Sequence, residues 1–163
     1  MKPFIGVVGH ANAGKSTIIQ SLTGCKTRTG IRLVRDAKTG KEVLVFPASP
    51  QENRFVDRRF KQELRDAARR RSTIGIVAAI QPTWPYARLS LEDMVNAAKL
   101  HGLQPYLFVV DPPYSQTSHS HSASLSRVRK RVGRSVRLGS LDGRRFAHLN
   151  AKRVARLTRL FRS

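Results

Sequence analysis

The segment that most constrains the fold of this chain is residues 9–16, with the sequence Gly-His-Ala-Asn-Ala-Gly-Lys-Ser. It matches the phosphate-binding pattern Gly-x4-Gly-Lys-Ser/Thr. The apolar run at residues 4–8 predicts a buried strand directly before it, and residues 17–22 predict the first turns of a helix after it. In this order the glycines let backbone N–H groups surround a phosphate, and the helix N-terminus adds its positive dipole end. The sequence therefore predicts a phosphate site between the first strand and the first helix.

The side chains of this segment predict the chemistry of the site. Lys15 would contact the β- and γ-phosphates of a nucleotide, and the hydroxyl of Ser16 would ligate Mg²⁺. We therefore expect Mg²⁺ and either GTP or ATP as cofactors. The predicted nucleotide-binding residues of the segment are Gly9, His10, Ala11, Asn12, Ala13, Gly14, Lys15, Ser16 and Thr17.

The rest of the chain alternates between strand and helix patterns, which predicts an α/β layer fold with a mostly parallel sheet. Ser90, with Asp93 three residues later, predicts a helix start. A hairpin is predicted at 31–46, a basic helix at 54–70, and buried strands at 73–80 and 106–110. A short basic helix is predicted at 124–132, a short strand at 145–149, and a final helix capped by Asn150.

The length of 163 residues predicts a single domain spanning 1–163. Within it, residues 114–163 carry 13 Lys and Arg against one acid, Asp142. This very basic C-terminal part either completes the sheet or forms a separate arm. Cys25 is the only cysteine, which excludes an intrachain disulfide and a cysteine-based zinc site.

The formal net charge of +21 indicates a polyanionic partner. Nucleic acid, RNA or DNA, or a ribonucleoprotein is the first candidate, and an anionic membrane surface is the second. No apolar run is long enough to span a bilayer, so we expect a cytoplasmic protein. The predicted nucleic-acid contacts are Arg58, Arg59, Arg69, Arg70, Arg71, Arg127, Arg129, Lys130, Arg131, Arg153 and Arg156.

Other residues admit more than one interpretation. Asp111 ends an apolar strand; it would hold Mg²⁺ in an ATPase if that strand neighbours the first strand, or it caps its own Pro-Pro turn. His119 and His121 could bind a metal, although two solvated loop histidines fit the pattern better. Trp84 and Tyr86 either stack on bases or cover the end of the sheet.

Residues 12–17, Asn-Ala-Gly-Lys-Ser-Thr, resemble the loop of Era/Obg-like GTPases, and the preceding Gly-His resembles translation-factor GTPases. The chain is thus similar to small GTPase-like P-loop NTPases, which implies a three-layer sandwich with one antiparallel hairpin strand. The resemblance implies that Gln51 orients the attacking water beside Lys15 and that Thr29, or Thr27, ligates Mg²⁺. It also implies base contacts from Asn150, Ala151 and Lys152, and places Asp111 near the base pocket.

Two later motifs of that family differ in this chain. Pro47 and Pro50 stand where the family has the Asp and Gly of its Asp-x-x-Gly motif, and proline has no amide proton to offer a phosphate. The guanine-reading Asn-Lys-x-Asp is replaced by residues 109–113, Val-Val-Asp-Pro-Pro. We therefore expect slow or absent hydrolysis.

Three functions fit these observations. The first is a nucleotide-binding, GTPase-like protein that acts on nucleic acid or a ribonucleoprotein. The second is a small P-loop kinase or phosphotransferase whose acceptor site is lined by Trp84, Tyr86 and the arginines of the basic helix. The third is a non-enzymatic structural subunit of an assembly that contains nucleic acid.

Overall fold

The computed structural model describes residues 1–10, 12–51, 57–82, 89–114 and 124–160. The strands are β1 (Pro3–Val8), β2 (Arg32–Arg35), β3 (Glu42–Phe46), β4 (Thr73–Ile80), β5 (Gln104–Val110) and β6 (Arg137–Leu141). The helices are α1 (Lys15–Thr23), α2 (Asp57–Arg69), α3 (Leu91–Leu100), α4 (Leu125–Val132) and α5 (Ala147–Thr158).

The strands form one six-stranded sheet in the order β2-β3-β4-β1-β5-β6. Every neighbouring pair is parallel except β2 and β3, which form the predicted antiparallel hairpin. Its turn is held by Asp36, whose carboxylate accepts hydrogen bonds from the Lys38 amide and the Thr39 hydroxyl. The predicted α/β architecture with a mostly parallel sheet is therefore confirmed.

Helices cover both faces of the sheet because the strand side chains alternate between two apolar clusters. Phe60 of α2, Met94 of α3 and Val128 of α4 pack in one cluster. Ile18 of α1 and Val154 of α5 pack in the other. Thus α1 and α5 lie on one face, and α2, α3 and α4 lie on the opposite face.

The capping box at Ser90 is confirmed. The Ser90 hydroxyl accepts from the Asp93 amide, and the Asp93 carboxylate accepts from the Ser90 amide. The predicted basic helix begins at Asp57 in the structure, while residues 52–56 lie outside the described part.

The basic C-terminal part completes the sheet, because β6 pairs in parallel with β5 and α5 packs against α1. The strand predicted at 145–149 is wrong. That stretch lies at the start of α5, which begins at Ala147, and Phe146 occupies the N-cap position predicted for Asn150. The apolar alternation of residues 145–149 comes from a helix whose first turn is mostly exposed.

Among the residues described, no helix is long and apolar enough to cross a membrane.

Candidate nucleotide-binding cleft

The segment predicted to bind phosphate lies at the carboxyl edge of the sheet, between β1 and α1. The Gly9 amide donates to the Ile80 carbonyl at the end of β4, 3.0 Å away. The first crossover leaves β1 through α1 on one face, whereas α2, α3 and α4 run on the other. Such a reversal opens a crevice beyond the strand ends, which is where α/β sheets bind ligands.

The N-terminus of α1 has no side-chain cap. Gly14 holds the N-cap position with a left-handed φ of 97°, and no acidic residue lies in the first turn. The amides of a helix's first turn have no partner inside the helix, so they face the crevice with the positive end of the dipole. Asn12 is also left-handed, with φ 63°, a conformation that asparagine tolerates better than most residues. Ala11 lies outside the described residues.

Lys15 is buried inside the loop, with 7% of its surface exposed. Its ammonium donates to the Gly9 carbonyl and to the His10 carbonyl, the latter at 2.9 Å. The Ser16 hydroxyl donates to the Pro47 carbonyl at 3.2 Å. The end of β3 therefore lies beside the serine that was predicted to ligate Mg²⁺.

The segment opens into a cleft of about 550 Å³. Two of its lining residues, Lys15 and Arg28, are cationic, and none of those in the described part is a carboxylate. The lining residues are Asn12, Ala13, Gly14, Lys15, Ser16, Thr17, Arg28, Ala48, Ser49, Ala79 and Tyr114. A cleft with cations, an uncapped helix N-terminus and no acid among its described lining residues has the chemistry of a phosphate site.

Tyr114 stands at the rim of this cleft, with 72% of its surface exposed. Its backbone amide donates to the Ala13 carbonyl at 3.1 Å, which fixes it to the phosphate-binding loop. Gly143 fits beneath this contact, and its amide donates to the Pro112 carbonyl at 2.8 Å. An exposed aromatic ring on a fixed backbone offers a flat surface for a base or a sugar.

Gln51 lies in a buried network and does not line the cleft. Its side chain is 4% exposed, donates to the Gln81 carbonyl at 2.8 Å and accepts from the Gln81 amide at 3.2 Å. The Ser49 hydroxyl also donates to it. This placement argues against the predicted role of Gln51 in orienting water, because its polar atoms join the loop after β3 to the end of β4.

Asp111 follows a strand that does neighbour β1, which is the condition for the ATPase interpretation. Its side chain is exposed, however, and Tyr114 rather than Asp111 lines the cleft. Thr29 is likewise exposed and does not line it, whereas Arg28 beside it does. Thr27 instead accepts a hydrogen bond from Arg32 at 3.1 Å.

The predicted base contacts at 150–152 do not line the cleft either. Asn150 is buried, and its side-chain amide donates to the Asp142 carbonyl at 2.8 Å. Ala151 is buried in the core, and Lys152 is exposed on α5. The first two positions therefore have packing roles at the start of α5.

The predicted nucleic-acid contacts do not form one patch. Those on α2 and α4 lie on the opposite face of the sheet from Arg153 and Arg156 on α5. Arg131 forms an ion pair with Glu92, at 2.8 Å between Nη2 and Oε2, and Arg129 donates to the Gly133 and Val136 carbonyls. These two arginines hold α4 in place. The remaining predicted contacts are exposed: Arg58, Arg59, Arg69, Arg70, Arg71, Arg127, Lys130, Arg153 and Arg156.

The other predicted groups, Trp84, Tyr86, His119 and His121, lie outside the described residues. Within the described part of the chain, no group of three His, Cys, Asp or Glu side chains could hold a metal ion. Sequence reasoning missed Arg28 and Tyr114. The hydrogen bond that brings Tyr114 to Ala13 joins segments far apart in the chain, and no local pattern in the sequence signals it. No protein-family model matches the chain, and no curated protein sequence matches it.

Proposed function

We propose that the chain is a nucleotide-binding P-loop protein that takes GTP or ATP with Mg²⁺ and acts on nucleic acid or a ribonucleoprotein through its basic surface. The observation that carries the nucleotide part is the cleft at the uncapped N-terminus of α1, which holds two cations and no described carboxylate. A nucleoside triphosphate brings the negative charge that is missing from the described lining of this cleft.

Each lining group has a role in this proposal. The first-turn amides of α1 would bind the β- and γ-phosphates. The Lys15 ammonium, which now donates to the Gly9 and His10 carbonyls, would donate to these phosphates instead. Arg28, which also lines the cleft, would contact the same phosphates, and the Tyr114 ring would contact the base. A stacked ring accepts adenine and guanine alike, so this contact fits either nucleotide.

The residues present suit Mg²⁺ that arrives with the nucleotide. The Ser16 hydroxyl lines the cleft and is the side chain that would ligate the ion, while phosphate oxygens and water would fill the other positions. Mg²⁺ commonly binds with few protein ligands and several waters, so the lack of a described carboxylate at the cleft does not prevent this arrangement. When bound, the ion would neutralise phosphate charge.

We propose that hydrolysis is slow or absent. No described carboxylate lines the cleft, and Gln51 is occupied by its buried bonds to Ser49 and Gln81. The same observation favours the second candidate, a structural subunit in which the nucleotide stabilises the fold. The kinase alternative predicts phosphate transfer from ATP to a nucleoside or nucleotide acceptor, which a panel of acceptors tests.

Titration calorimetry with ATP and GTP analogues, with and without Mg²⁺, tests the nucleotide site. We expect Mg²⁺-dependent binding by the wild-type protein and its loss in Lys15→Ala. Lys26→Ala, which removes an exposed lysine just beyond α1, is the matched control and should bind normally. Absence of binding in the folded wild-type protein, or equal binding by Lys15→Ala, contradicts the proposal.

A further inference from the structure

A second concavity lies at the amino edge of the sheet, opposite the nucleotide cleft. It has a volume of about 760 Å³ and is bordered by the starts of β1, β3 and β4 and by the ends of α1 and α5. We call it the amino-edge groove. The six residues of β1 separate it from the nucleotide cleft by about 20 Å at ~3.3 Å per residue. The two sites can therefore be altered independently.

The rim of the groove is strongly cationic. Its lining contains one acid, Asp36, within the described residues. Hydrogen bonds from the Lys38 amide and the Thr39 hydroxyl lower the pKa of Asp36, so it remains an ionised part of the hairpin turn. The cations that line the groove are Lys2, Arg35, Lys41, Arg71 and Arg159.

Two of these cations bind partners within the fold, and the other three are exposed to solvent. Lys2 donates to backbone carbonyls at the C-terminal end of α2, and Arg35 pairs with Glu42 at 2.7 Å. Lys41, Arg71 and Arg159 are exposed. The rim of the groove therefore remains cationic even when Lys2 and Arg35, which have partners in the fold, are left out. We expect its ligand to be an anion.

The floor of the groove is largely apolar, with the buried threonines Thr23, Thr73 and Thr158 among its lining residues, and this composition restricts the kind of anion that fits. Pro3, Val34, Val43, Ile74 and Leu160 line it. Tyr106 also lines it, with the Arg137 guanidinium 5.5 Å from its ring centroid. A ligand that matches both parts carries a row of charges on one side and flat apolar rings on the other.

Single-stranded nucleic acid has this combination, because its phosphates repeat along the backbone and its bases are free to leave the stack. A duplex keeps its bases paired inside and presents its phosphates outward, so it would not use the floor. A bilayer surface is broad, and it would meet the rim without filling a concave groove.

We propose that the amino-edge groove binds single-stranded nucleic acid. This inference rests on the nucleic-acid part of the proposed function. It assigns nucleic-acid binding to one place in the fold, whereas the predicted arginines on the helices lie on both faces of the sheet and do not define a single site. Of the predicted nucleic-acid contacts, Arg71 alone lines this groove.

The test compares two double variants that lower the net charge equally. The groove variant is Lys41→Gln with Arg71→Gln. The control is Arg65→Gln with Arg134→Gln, at two exposed positions outside the groove. Binding of a labelled mixed-sequence oligonucleotide, as RNA and as DNA, is followed by fluorescence anisotropy across a range of salt concentrations. Circular dichroism and thermal unfolding of both variants check that each remains folded, independently of nucleotide binding.

Each lost phosphate contact lowers the salt slope for a single strand by about 0.7. The groove variant should therefore lose about 1.4 from the slope, which corresponds to roughly 25-fold weaker binding at 0.1 M salt. The control should change by less than about threefold, and a duplex of the same sequence should bind the wild-type protein more weakly than the single strand.

The outcomes separate this inference from the proposed function. If the wild-type protein binds nucleotide but no oligonucleotide, the nucleic-acid part of the proposed function fails together with the groove. If the wild-type protein binds the oligonucleotide and both double variants weaken it equally, the groove assignment is overturned while the proposed function stands. Tighter binding to a duplex, or to anionic phosphatidylserine vesicles, also overturns the assignment.

Discussion

Replacing Gly143 with alanine tests whether the segments around the nucleotide cleft are held together as described. A Cβ built on Gly143 would lie 2.6 Å from the Tyr114 amide nitrogen, 2.8 Å from the Ala13 carbonyl oxygen and 2.8 Å from Val110 Cγ1. The first two atoms are the donor and acceptor of the hydrogen bond that ties Tyr114 to the phosphate-binding loop. Alanine at this position therefore forces two backbone segments apart.

The expected loss in the free energy of unfolding depends on whether the atoms that contact the new methyl group can move away. Adding a methyl group to a close-packed site lowers the stability by about 1–3 kcal/mol. We use the upper half of this range because two of the three contacting atoms at Gly143 belong to the backbone, which moves less easily than a side chain. We therefore expect Gly143→Ala to lower the free energy of unfolding by about 2–3 kcal/mol. For a chain of this size that corresponds to a fall in Tm of about 4–12 °C.

Urea denaturation followed by circular dichroism measures this loss, and Gly139→Ala is the matched control. At Gly139 the added methyl would meet two ring carbons of Phe108 at 3.0 Å, and a side chain can yield where a backbone cannot. The control should lose less than about 1 kcal/mol. If Gly143→Ala is as stable as the wild type, or more stable than Gly139→Ala, the described contact between the three segments is wrong.

Three further substitutions test other parts of the structure. Gln51→Ala leaves the buried Gln81 amide and carbonyl without their side-chain partner, so we expect a loss of about 2–4 kcal/mol in urea denaturation, and calorimetry should show unchanged nucleotide affinity in the folded protein. Arg131→Met should cost about 1 kcal/mol or less at pH 7, because the pair it forms with Glu92 is partly exposed. Hydrogen bonding from Arg131 lowers the pKa of Glu92, so the pair's contribution is fully present above the ordinary Glu value of about 4.3 and is lost as pH falls through the lowered value. Denaturation curves of the two proteins should therefore converge progressively as the pH is lowered below about 4.3. Phe60→Ala, which removes a fully buried ring packed on two other aromatic rings, should cost about 3–5 kcal/mol by the same assay.

The sequence predicted the elements whose signals are local. The β1–loop–α1 unit, the β2–β3 hairpin and the capping box at Ser90 each depend on residues within a few positions of one another. β6 was missed because its sequence, Arg-Leu-Gly-Ser-Leu, is short and polar, and it lies at the edge of the sheet with only Leu141 fully buried. The strand predicted at 145–149 failed because a few apolar residues in an exposed helical turn can mimic strand alternation.

The sequence pattern at residues 9–16 anticipated the loop that borders the candidate cleft, but not the residues at the rim of that cleft. Gln51 looked catalytic by resemblance, but its role is set by Gln81, a partner 30 residues away. Arg131 looked like a surface cation until its pairing with Glu92, 39 residues away, became visible. Tyr114 lines the cleft because its amide reaches Ala13, and no local pattern records a contact between such distant segments.

The few acidic residues help to explain how one fold can carry so much positive charge. The ten acids stand against 31 Lys and Arg, and most of the described acids have structural hydrogen bonds. These are Asp36 in the hairpin turn, Glu42 with Arg35 and Ser72, Asp57 with Lys61, Asp66 with Gln62, Glu92 with Arg131, Asp93 at the cap, and Asp142 with Arg144. Four of these acids, Glu42, Asp57, Glu92 and Asp142, pair with Arg or Lys side chains, and the other three accept hydrogen bonds from neutral groups in a turn, a helix and a cap. In the described residues, the nucleotide cleft is left without a carboxylate and the amino-edge groove with Asp36 alone. Among the described lining residues, cations outnumber carboxylates at both concavities, which is consistent with the anionic ligands proposed for the two ends of the sheet.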